Sequence, residues 1–411
     1  MDTRVGLTRQ NQSMVSTFGW LDTDTEQRRK MLEVVDLFKE EGTVDELGIG
    51  PIRDALADSL FPGTSVLQTR LRYVLFIPWL MQRAAEHKAS PTEMSAEFRN
   101  LEYRLINSLI GGGEILGVIG NTARTKLKRM PSGMYWAALG AWNIRTADFS
   151  PDGYFRRQYD YRQLSNRIAR ADDPEVRELL PGTGLDPHLP RPPDEWLKAV
   201  NFTLTPAEEQ YLSDLIATAT KGSMLSWLIH HQPGDSPDYV WEIDNLHDAP
   251  EQLQDLIDHA RRFHTAIHGA ALVYNLLLAR KSGRDDKVSD YEGRLVRWRD
   301  ELNASAALDG WSRTEWWATI QRQNPRLRPT TMQFVNRWLD LIDHDIDLVG
   351  NKDVRDLISM RERQIKGGRA RLVNQAALDR WSGGSGLGRH EFRWSIARQH
   401  LVDLYDARAA V

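Results

Sequence analysis

Apolar residues recur at every third or fourth position through most of this chain, and that spacing limits its fold more than any other feature. Met94, Phe98, Leu101, Leu105 and Leu109 form one such stripe, which is typical of a helix face packed on a core. Comparable stripes occur in residues 31–38, 253–278, 288–302, 332–342 and 394–404. We therefore predict a mainly α-helical protein with at most a few short strands.

Two segments depart from this amphipathic pattern. Residues 66–81 are apolar on most sides, so we predict a central buried helix there. Residues 238–243, Asp-Tyr-Val-Trp-Glu-Ile, alternate between polar and apolar side chains. That period of two predicts a short strand.

Chain-breaking residues suggest how the helices are divided. Residues 171–195 contain six prolines and two glycines, a composition typical of a connection between two lobes. We predict an N-terminal extension over 1–17, a helical lobe over 18–170, the connection over 171–195 and a second helical lobe over 196–411. A chain of 411 residues is long enough for two such units.

The composition excludes several classes of chemistry. The chain has no cysteine, which rules out disulfides, thiolate metal sites and thiol nucleophiles. No apolar stretch is long enough to cross a bilayer, and residues 1–13 lack the apolar segment of a signal peptide. We expect a cytoplasmic protein that does not bind membranes. No catalytic, cofactor or metal-binding motif is recognised.

Positive charge concentrates near the C-terminus, although the whole chain has a net charge of -4. Between residues 361 and 398 nine cations accompany three acids, and glycines and tryptophans lie among them. Such a mixture can hold a polyanion, whereas pairing with distant acids is the structural alternative. The candidate nucleic-acid-binding residues here are Arg361, Arg363, Lys366, Arg369, Arg371, Arg380, Trp381, Arg389 and Arg393.

A shorter basic cluster occurs in the N-terminal half. Arg124, Lys126, Lys128 and Arg129 precede Tyr135, and no acid falls between residues 115 and 147. Nucleic-acid binding requires cations that contact phosphates and, beside them, an aromatic ring that stacks on a base. A solvated helix end with Tyr135 in the core is the structural alternative.

His264 and His268 fall on or beside the apolar stripe of residues 253–278. A spacing of four allows two imidazoles to share a metal ion, but no third ligand is evident in the sequence. We expect buried, hydrogen-bonded histidines. If the two rings line a cleft, they can instead act as an acid or a base.

Ten short motifs together resemble one bacterial family of uncharacterised proteins, the domain of unknown function 6361. The resemblance extends from about Phe18 to the C-terminus. The motifs are Phe18–Asp22, Ile52–Ala55, Leu60–Ser65, Thr69–Tyr73, Phe76–Trp79, Gly117–Gly120, Pro131–Trp136, Gly269–Asn275, Ala370–Leu372 and Trp381–Gly386. The resemblance implies no catalytic residue, but it implies a context of restriction and phage-defence genes.

The sequence thus leads to one principal function and two alternatives. The principal hypothesis is a non-catalytic, nucleic-acid-binding subunit of a bacterial phage-defence or restriction-type assembly. Its expected partners are nucleic acid, DNA first, and other protein subunits of the defence system. One alternative is an enzyme acting on nucleic acid or nucleotides through His264 and His268. The other is a protein-interaction scaffold whose tryptophans form partner surfaces.

Overall fold

A computed structural model describes residues 45–86, 90–122, 127–171, 183–198, 200–344 and 347–410, without the side chains of 166–171. The predicted helix over residues 31–38 and the predicted N-terminal extension lie outside these ranges. The described residues form fourteen α-helices. They are α1 (Gly50–Leu60), α2 (Tyr73–Glu86), α3 (Pro91–Gly111), α4 (Pro131–Ala141), α5 (Pro151–Ala171), α6 (Pro206–Ala219), α7 (Met224–His230), α8 (Glu251–Ser282), α9 (Asp285–Ala304), α10 (Arg313–Gln323), α11 (Pro329–Ile342), α12 (Lys352–Lys366), α13 (Gln375–Leu378) and α14 (Trp394–Ala409).

The prediction of a mainly α-helical fold is confirmed. No strand occurs in the described ranges, where the only β-type pairing is an isolated bridge between Arg145 and Leu185. The predicted strand over 238–243 is wrong, because Val240–Glu242 forms one turn of 3₁₀ helix. Tyr239 and Trp241 stack on each other there, with ring centroids 4.7 Å apart. The alternating pattern therefore reflects an aromatic pair and not a ladder of backbone hydrogen bonds.

The predicted helix over residues 66–81 begins only at Tyr73. The residues before it use their backbone N–H groups in tertiary contacts. The amides of Thr69 and Arg70 donate to the Tyr135 hydroxyl, at 2.8 and 3.0 Å, and the amide of Leu71 donates to Asp403 at 2.8 Å. These contacts replace the first helical turns. From Tyr73 to Met81 every side chain is buried, as predicted.

The longest helix, α8, packs along α9 in a close antiparallel pair. Gly269 marks the closest approach, because a Cβ atom at this position would lie 2.3 Å from Cζ2 of Trp298. The Trp298 indole also donates to the backbone oxygen of Thr265 at 2.7 Å. This contact fixes the position of α9 beside the candidate site.

One cluster of buried apolar residues runs through the described parts of both halves of the chain. The predicted division into two lobes at 171–195 stays a prediction. None of the described helices is long and apolar enough to span a bilayer.

Candidate anion-binding site

Residues 381–393, here called the strap, connect α13 to α14 and lie across α8. Asn275 of α8 fixes the strap with both ends of its amide. Its Oδ1 accepts from the backbone N–H of Ser385 at 2.9 Å and from the Trp381 indole at 3.3 Å, while its Nδ2 donates to the Ser385 carbonyl at 2.7 Å. Tyr291 of α9 donates to the Gly383 carbonyl at 2.6 Å. The glycine-rich motif of the strap is therefore bound to Asn275 and Tyr291.

A buried polar network, here called the Glu46 network, ties the strap to the N-terminal end of the described chain and to α12. Glu46 accepts from Lys366, from Arg371 at 2.7 Å and from Ser385 of the strap. Tyr274 donates to a second carboxylate, Glu362, at 2.6 Å. Glu362 also accepts from Lys366 at 3.0 Å and from the backbone amides of Arg371 and Leu372, at 2.8 and 2.9 Å. Two carboxylates thus neutralise two of the candidate cations.

Both carboxyl groups of this network are held in their ionised form. Burial works against the charge of Glu46, but the Lys366 ammonium and hydrogen bonds from Lys366, Ser385 and Arg371 hold the pKa of Glu46 below its usual value. Burial likewise opposes the charge of Glu362, and the bonds from Tyr274 and the backbone still lower its pKa. The network is therefore a set of ion pairs at neutral pH.

Three further candidate arginines are also bound within the molecule. Arg361 is only 3% exposed and donates to the carbonyls of Leu47 and Gly48, at 2.7 and 2.9 Å. Arg389 forms a two-point ion pair with Glu301, with both bonds at 2.5 Å. Arg393 pairs with Asp58 at 2.5 Å and donates to the Thr64 carbonyl at 2.9 Å. The structural alternative of pairing with distant acids therefore holds for much of the C-terminal cluster.

Arg363, Arg369 and Arg380 are the exposed members of that cluster. Trp381 was predicted to be available to a ligand, but it is 2% exposed and packs beneath Arg284, whose Cζ lies 5.2 Å from the ring centroid. A ring covered in this way cannot stack on a base. The prediction for Trp381 is therefore wrong in this conformation.

The N-terminal basic cluster is only partly described. Arg124 and Lys126 lie outside the described residues, whereas Lys128 and Arg129 are exposed. Arg129 donates to the Gly133 carbonyl at 3.1 Å, near the start of α4. Tyr135 is fully buried, and its hydroxyl donates to the Arg70 carbonyl at 2.7 Å. Tyr135 is thus a core residue and not a stacking group, which corrects the second aromatic prediction.

The two histidines of α8 have different environments. His264 is buried, its Nδ1 lies 2.9 Å from the His390 carbonyl and its Nε2 lies 3.2 Å from Nη1 of Arg389. The proton therefore belongs on Nδ1, and Nε2 accepts. His268 is half-buried, and its ring makes no hydrogen bond to any described residue. The expectation of hydrogen-bonded histidines is right for His264 and wrong for His268.

His268 lies at the wall of a small cavity of about 250 Å³ between α8, α9 and the strap. We call this cavity the α9 pocket. It is lined by His268, Leu272, Arg294, Arg297, Trp298, Glu301 and Arg389. Burial lowers the pKa of His268 to about 3, with further lowering by Arg389, His264 and Arg294. The ring is therefore neutral at physiological pH and adds a hydrogen-bonding group without adding charge.

Three guanidinium groups meet one carboxylate in this pocket. Glu301 is already engaged by Arg389. Arg294 lies 3.8 Å from Asp290, too far for a hydrogen bond, and its Cζ lies 5.2 Å from the centroid of the Tyr291 ring. Arg297 is exposed and forms no ion pair with a described residue. Among the lining residues, cations thus outnumber carboxylates by two, and Arg297 is the one without an acidic partner in the described chain, since Asp290 forms a loose ion pair with Arg294. An excess of guanidinium groups favours an anion.

The positive charge continues along α9 towards its N-terminus. Arg284, Lys287, Arg294 and Arg297 define what we call the α9 strip. A Cβ atom on Gly383 of the strap would lie 3.1 Å from Cε of Lys287 and 3.7 Å from Nη1 of Arg284. Lys287, Arg294 and Arg297 fall within roughly 80° of one another around the helix. The strip therefore follows one flank of α9, next to the strap.

The α9 strip does not stand out in the sequence, because acids alternate with its cations. Asp285, Asp286, Asp290 and Glu292 bring the local charge of α9 close to zero, so counting charges along the chain hides the surface. Of these acids, Asp290 lies on the same side of the helix as the strip, 3.8 Å from Arg294. The signal that could have found the strip is the spacing of Lys287, Arg294 and Arg297, which places them on one side of a helix.

A larger cavity, of about 550 Å³, lies between α8 and α10. It is lined by carboxylates, among them Asp255 and Glu315, but also by Arg262 and Arg322. Its His259 is occupied, because the Trp311 indole donates to Nδ1 at 3.0 Å. The charges of this cavity largely cancel and select no class of ligand. Among the described residues, no three imidazoles or carboxylates are placed to share a metal ion.

The fold and the site define a class: a mainly α-helical protein whose C-terminal strap is held by buried ion pairs beside an arginine-lined pocket. The chain belongs to the family of unknown function DUF6361, whose model matches residues 15–408. The resemblance seen in the sequence motifs is thereby confirmed. No curated protein and no solved structure matches the chain.

Proposed function

We propose that the protein binds nucleic acid through the α9 strip and acts as a non-catalytic subunit of a bacterial phage-defence or restriction-type assembly in the cytoplasm. The excess of guanidinium groups in the α9 pocket is the observation that carries this proposal. Arginine forks match the geometry of phosphate oxygens. DNA is the favoured ligand because the sequence resemblance implies a restriction context.

The dimensions of the strip suit a phosphate backbone. Arg284 and Arg297 are thirteen residues apart, which is about 20 Å along a helix. One strand of B-form DNA carries roughly six phosphates over that distance. Arg284, just before α9, and three cations along one flank of the helix are thus enough for several phosphate contacts in sequence.

The alternatives find less support. His264 has its Nδ1 bonded to a carbonyl and its Nε2 beside Arg389, and burial lowers its pKa to about 4. A histidine with both nitrogens engaged is a poor acid or base at neutral pH. The tryptophans suggested as a partner surface are largely internal, since Trp79, Trp142, Trp298, Trp316, Trp338, Trp381 and Trp394 are all buried.

The test is the salt dependence of binding to a fluorescent DNA duplex, followed by anisotropy. The variant R294Q/R297Q is compared with R104Q/R191Q, which removes two exposed arginines on distant elements. Each lost phosphate contact reduces the slope of log K against log salt by about 0.9. We expect R294Q/R297Q to bind more weakly with a flatter slope, and R104Q/R191Q to behave like the wild type. Equal effects of both variants, or no salt-sensitive binding by the wild type, would contradict the proposal.

A further inference from the structure

The cations of the α9 pocket line one small cavity. On a surface that follows a nucleic-acid backbone, the cations are spread out instead. Arg294, Arg297 and Arg389 line the same 250 Å³ cavity, against one carboxylate that Arg389 already engages. Among the residues that line the pocket, cations therefore outnumber carboxylates by two, while Asp290 lies beside the pocket, 3.8 Å from Arg294. An internal phosphodiester carries one negative charge, while a phosphate monoester carries between one and a half and two at neutral pH.

The hydrogen-bonding groups of the pocket fit the same ligand. A monoester offers three strong acceptor oxygens. Arg294 and Arg297 supply donors on the α9 side. His268 supplies one ring N–H from α8, and no described residue uses it. Because this ring is neutral, its contribution is a directed hydrogen bond and not another charge.

The strip also ends at the pocket. Beyond Arg297 the next charged residues of α9 are Arg299, which donates to the Ile342 carbonyl at 2.7 Å, and the acids Asp300 and Glu301. Arg299 is thus engaged and Glu301 is paired with Arg389, so no further cation of α9 is left to contact a strand that continues along the helix. A strand that follows the strip from Arg284 therefore terminates in the pocket.

From these observations we infer that the α9 pocket binds a phosphate monoester, in the form of the terminal phosphate of a nucleic-acid strand. This inference rests on the proposed function, because the strand is placed by the α9 strip. It adds a specificity that the strip alone does not have. Strand ends carrying a phosphate are preferred over strand ends carrying a hydroxyl group.

The experiment compares oligonucleotides of one sequence that carry a 5′-phosphate, a 3′-phosphate or hydroxyl groups at both ends. Binding of each is measured by anisotropy with an internal fluorophore. We expect one of the two phosphorylated strands to bind about tenfold more tightly than the hydroxyl strand, the effect of one charge-assisted contact. R297Q and H268A should bring the ratio of the affinities for the phosphorylated and the hydroxyl strand close to one. R284Q, which lies on the strip but outside the pocket, should weaken all strands and leave the ratio intact.

The outcomes separate the inference from the proposed function. Salt-sensitive binding with a ratio of one in the wild type would overturn the inference and leave the proposed function standing. If no strand binds, both proposals fail for nucleic acid. Titration calorimetry with adenosine monophosphate and with inorganic phosphate then decides whether the pocket accepts the monoester alone. If the wild type gives a heat of binding and R297Q does not, the pocket is a site for free nucleotide or phosphate. If the wild type gives no heat, the pocket does not bind phosphate.

Discussion

Arg369 and Arg371 are two positions apart, yet their environments have little in common. Arg369 is exposed, whereas Arg371 bonds to Glu46, Tyr274 and Ser385. Burial opposes the charge of Arg371, but the hydrogen bond to Glu46 and the charge of that carboxylate raise the pKa of Arg371 above its usual value. At the residue scale, therefore, the composition of a basic segment does not reveal which of its cations face solvent.

Replacing Arg371 should test this difference directly. R371Q removes one ion-pair bond from the buried Glu46 carboxylate and leaves Lys366 as its remaining cation. We expect the free energy of unfolding to fall by about 1–3 kcal/mol, measured by urea denaturation. R369Q, the matched control, should change it by less than about 0.5 kcal/mol. Equal effects would mean that the Glu46 network does not stabilise the fold.

A second buried carboxyl group, Glu102 of α3, makes stability depend on pH. It is 2% exposed and accepts from the backbone N–H of Ser132, in the first turn of α4, at 2.8 Å. Burial raises its pKa from 4.5 to about 7, against the opposing bonds from Ser132 and the charge of Arg99. Between these two pH values the folded protein keeps a proton that the unfolded chain has released. The contribution of this proton to the free energy of unfolding is complete below pH 4.5 and is lost as the pH rises through about 7.

We therefore expect E102Q to be more stable than the wild type above pH 7, since the amide reproduces the protonated carboxyl and can still bond to Ser132. The difference should be about 3 kcal/mol at pH 8 and shrink towards zero at pH 4.5. Urea denaturation across this pH range measures it. A difference that does not vary with pH would show that Glu102 keeps an ordinary pKa.

At the scale of elements, periodicity predicted the helices well. The stripe from Met94 to Leu109 lies within α3, and the long stripe over 253–278 lies within α8. The helix prediction failed at residues 69–71, where the backbone N–H groups bond to distant side chains. The strand prediction failed at Tyr239 and Trp241, where a stacked aromatic pair has the same spacing as a strand. The first kind of contact has no signal in local spacing, because its partners are distant in sequence. The second kind has the same spacing of two residues as a strand, because Tyr239 and Trp241 are two positions apart.

The same reason explains why the candidate site was only partly predictable. The arginines of the C-terminal cluster pair with Glu46, Glu301 and Asp58, which lie far away in sequence. The α9 strip becomes visible only when residues are placed on a helix surface. The sequence revealed that the strap is rich in aromatic residues and glycines. It did not reveal that Asn275 binds this segment.

The crossing of α8 and α9 offers a test at this scale. G269A introduces a Cβ atom 2.3 Å from Cζ2 of Trp298, so one helix must move. We expect a loss of about 1–3 kcal/mol or more in the free energy of unfolding. G293A makes the same change on α9, where the nearest atom is the Arg297 guanidinium at 3.6 Å. It should stabilise the protein by about 0.5–1 kcal/mol, and a destabilised G293A would contradict this account of the crossing.

At the scale of the whole molecule, charged contacts join parts of the chain that are far apart in sequence. Arg70 pairs with Asp403 at 2.8 Å, and the two side chains of the Glu46–Lys366 pair are also separated by most of the chain. The cations near the C-terminus therefore serve mainly to close the fold. We propose that a different set of cations, those of the α9 strip, binds the ligand.

The salt dependence of DNA binding by two double variants tests that separation of roles most directly. R294Q/R297Q changes the α9 strip, and R363Q/R369Q removes two exposed arginines of the C-terminal cluster. Both variants lose two positive charges. We predict that R294Q/R297Q reduces the slope of log K against log salt by about 1.8, while R363Q/R369Q keeps the slope of the wild type. A flattened slope for R363Q/R369Q together with an unchanged slope for R294Q/R297Q would return the binding surface to the C-terminal cluster.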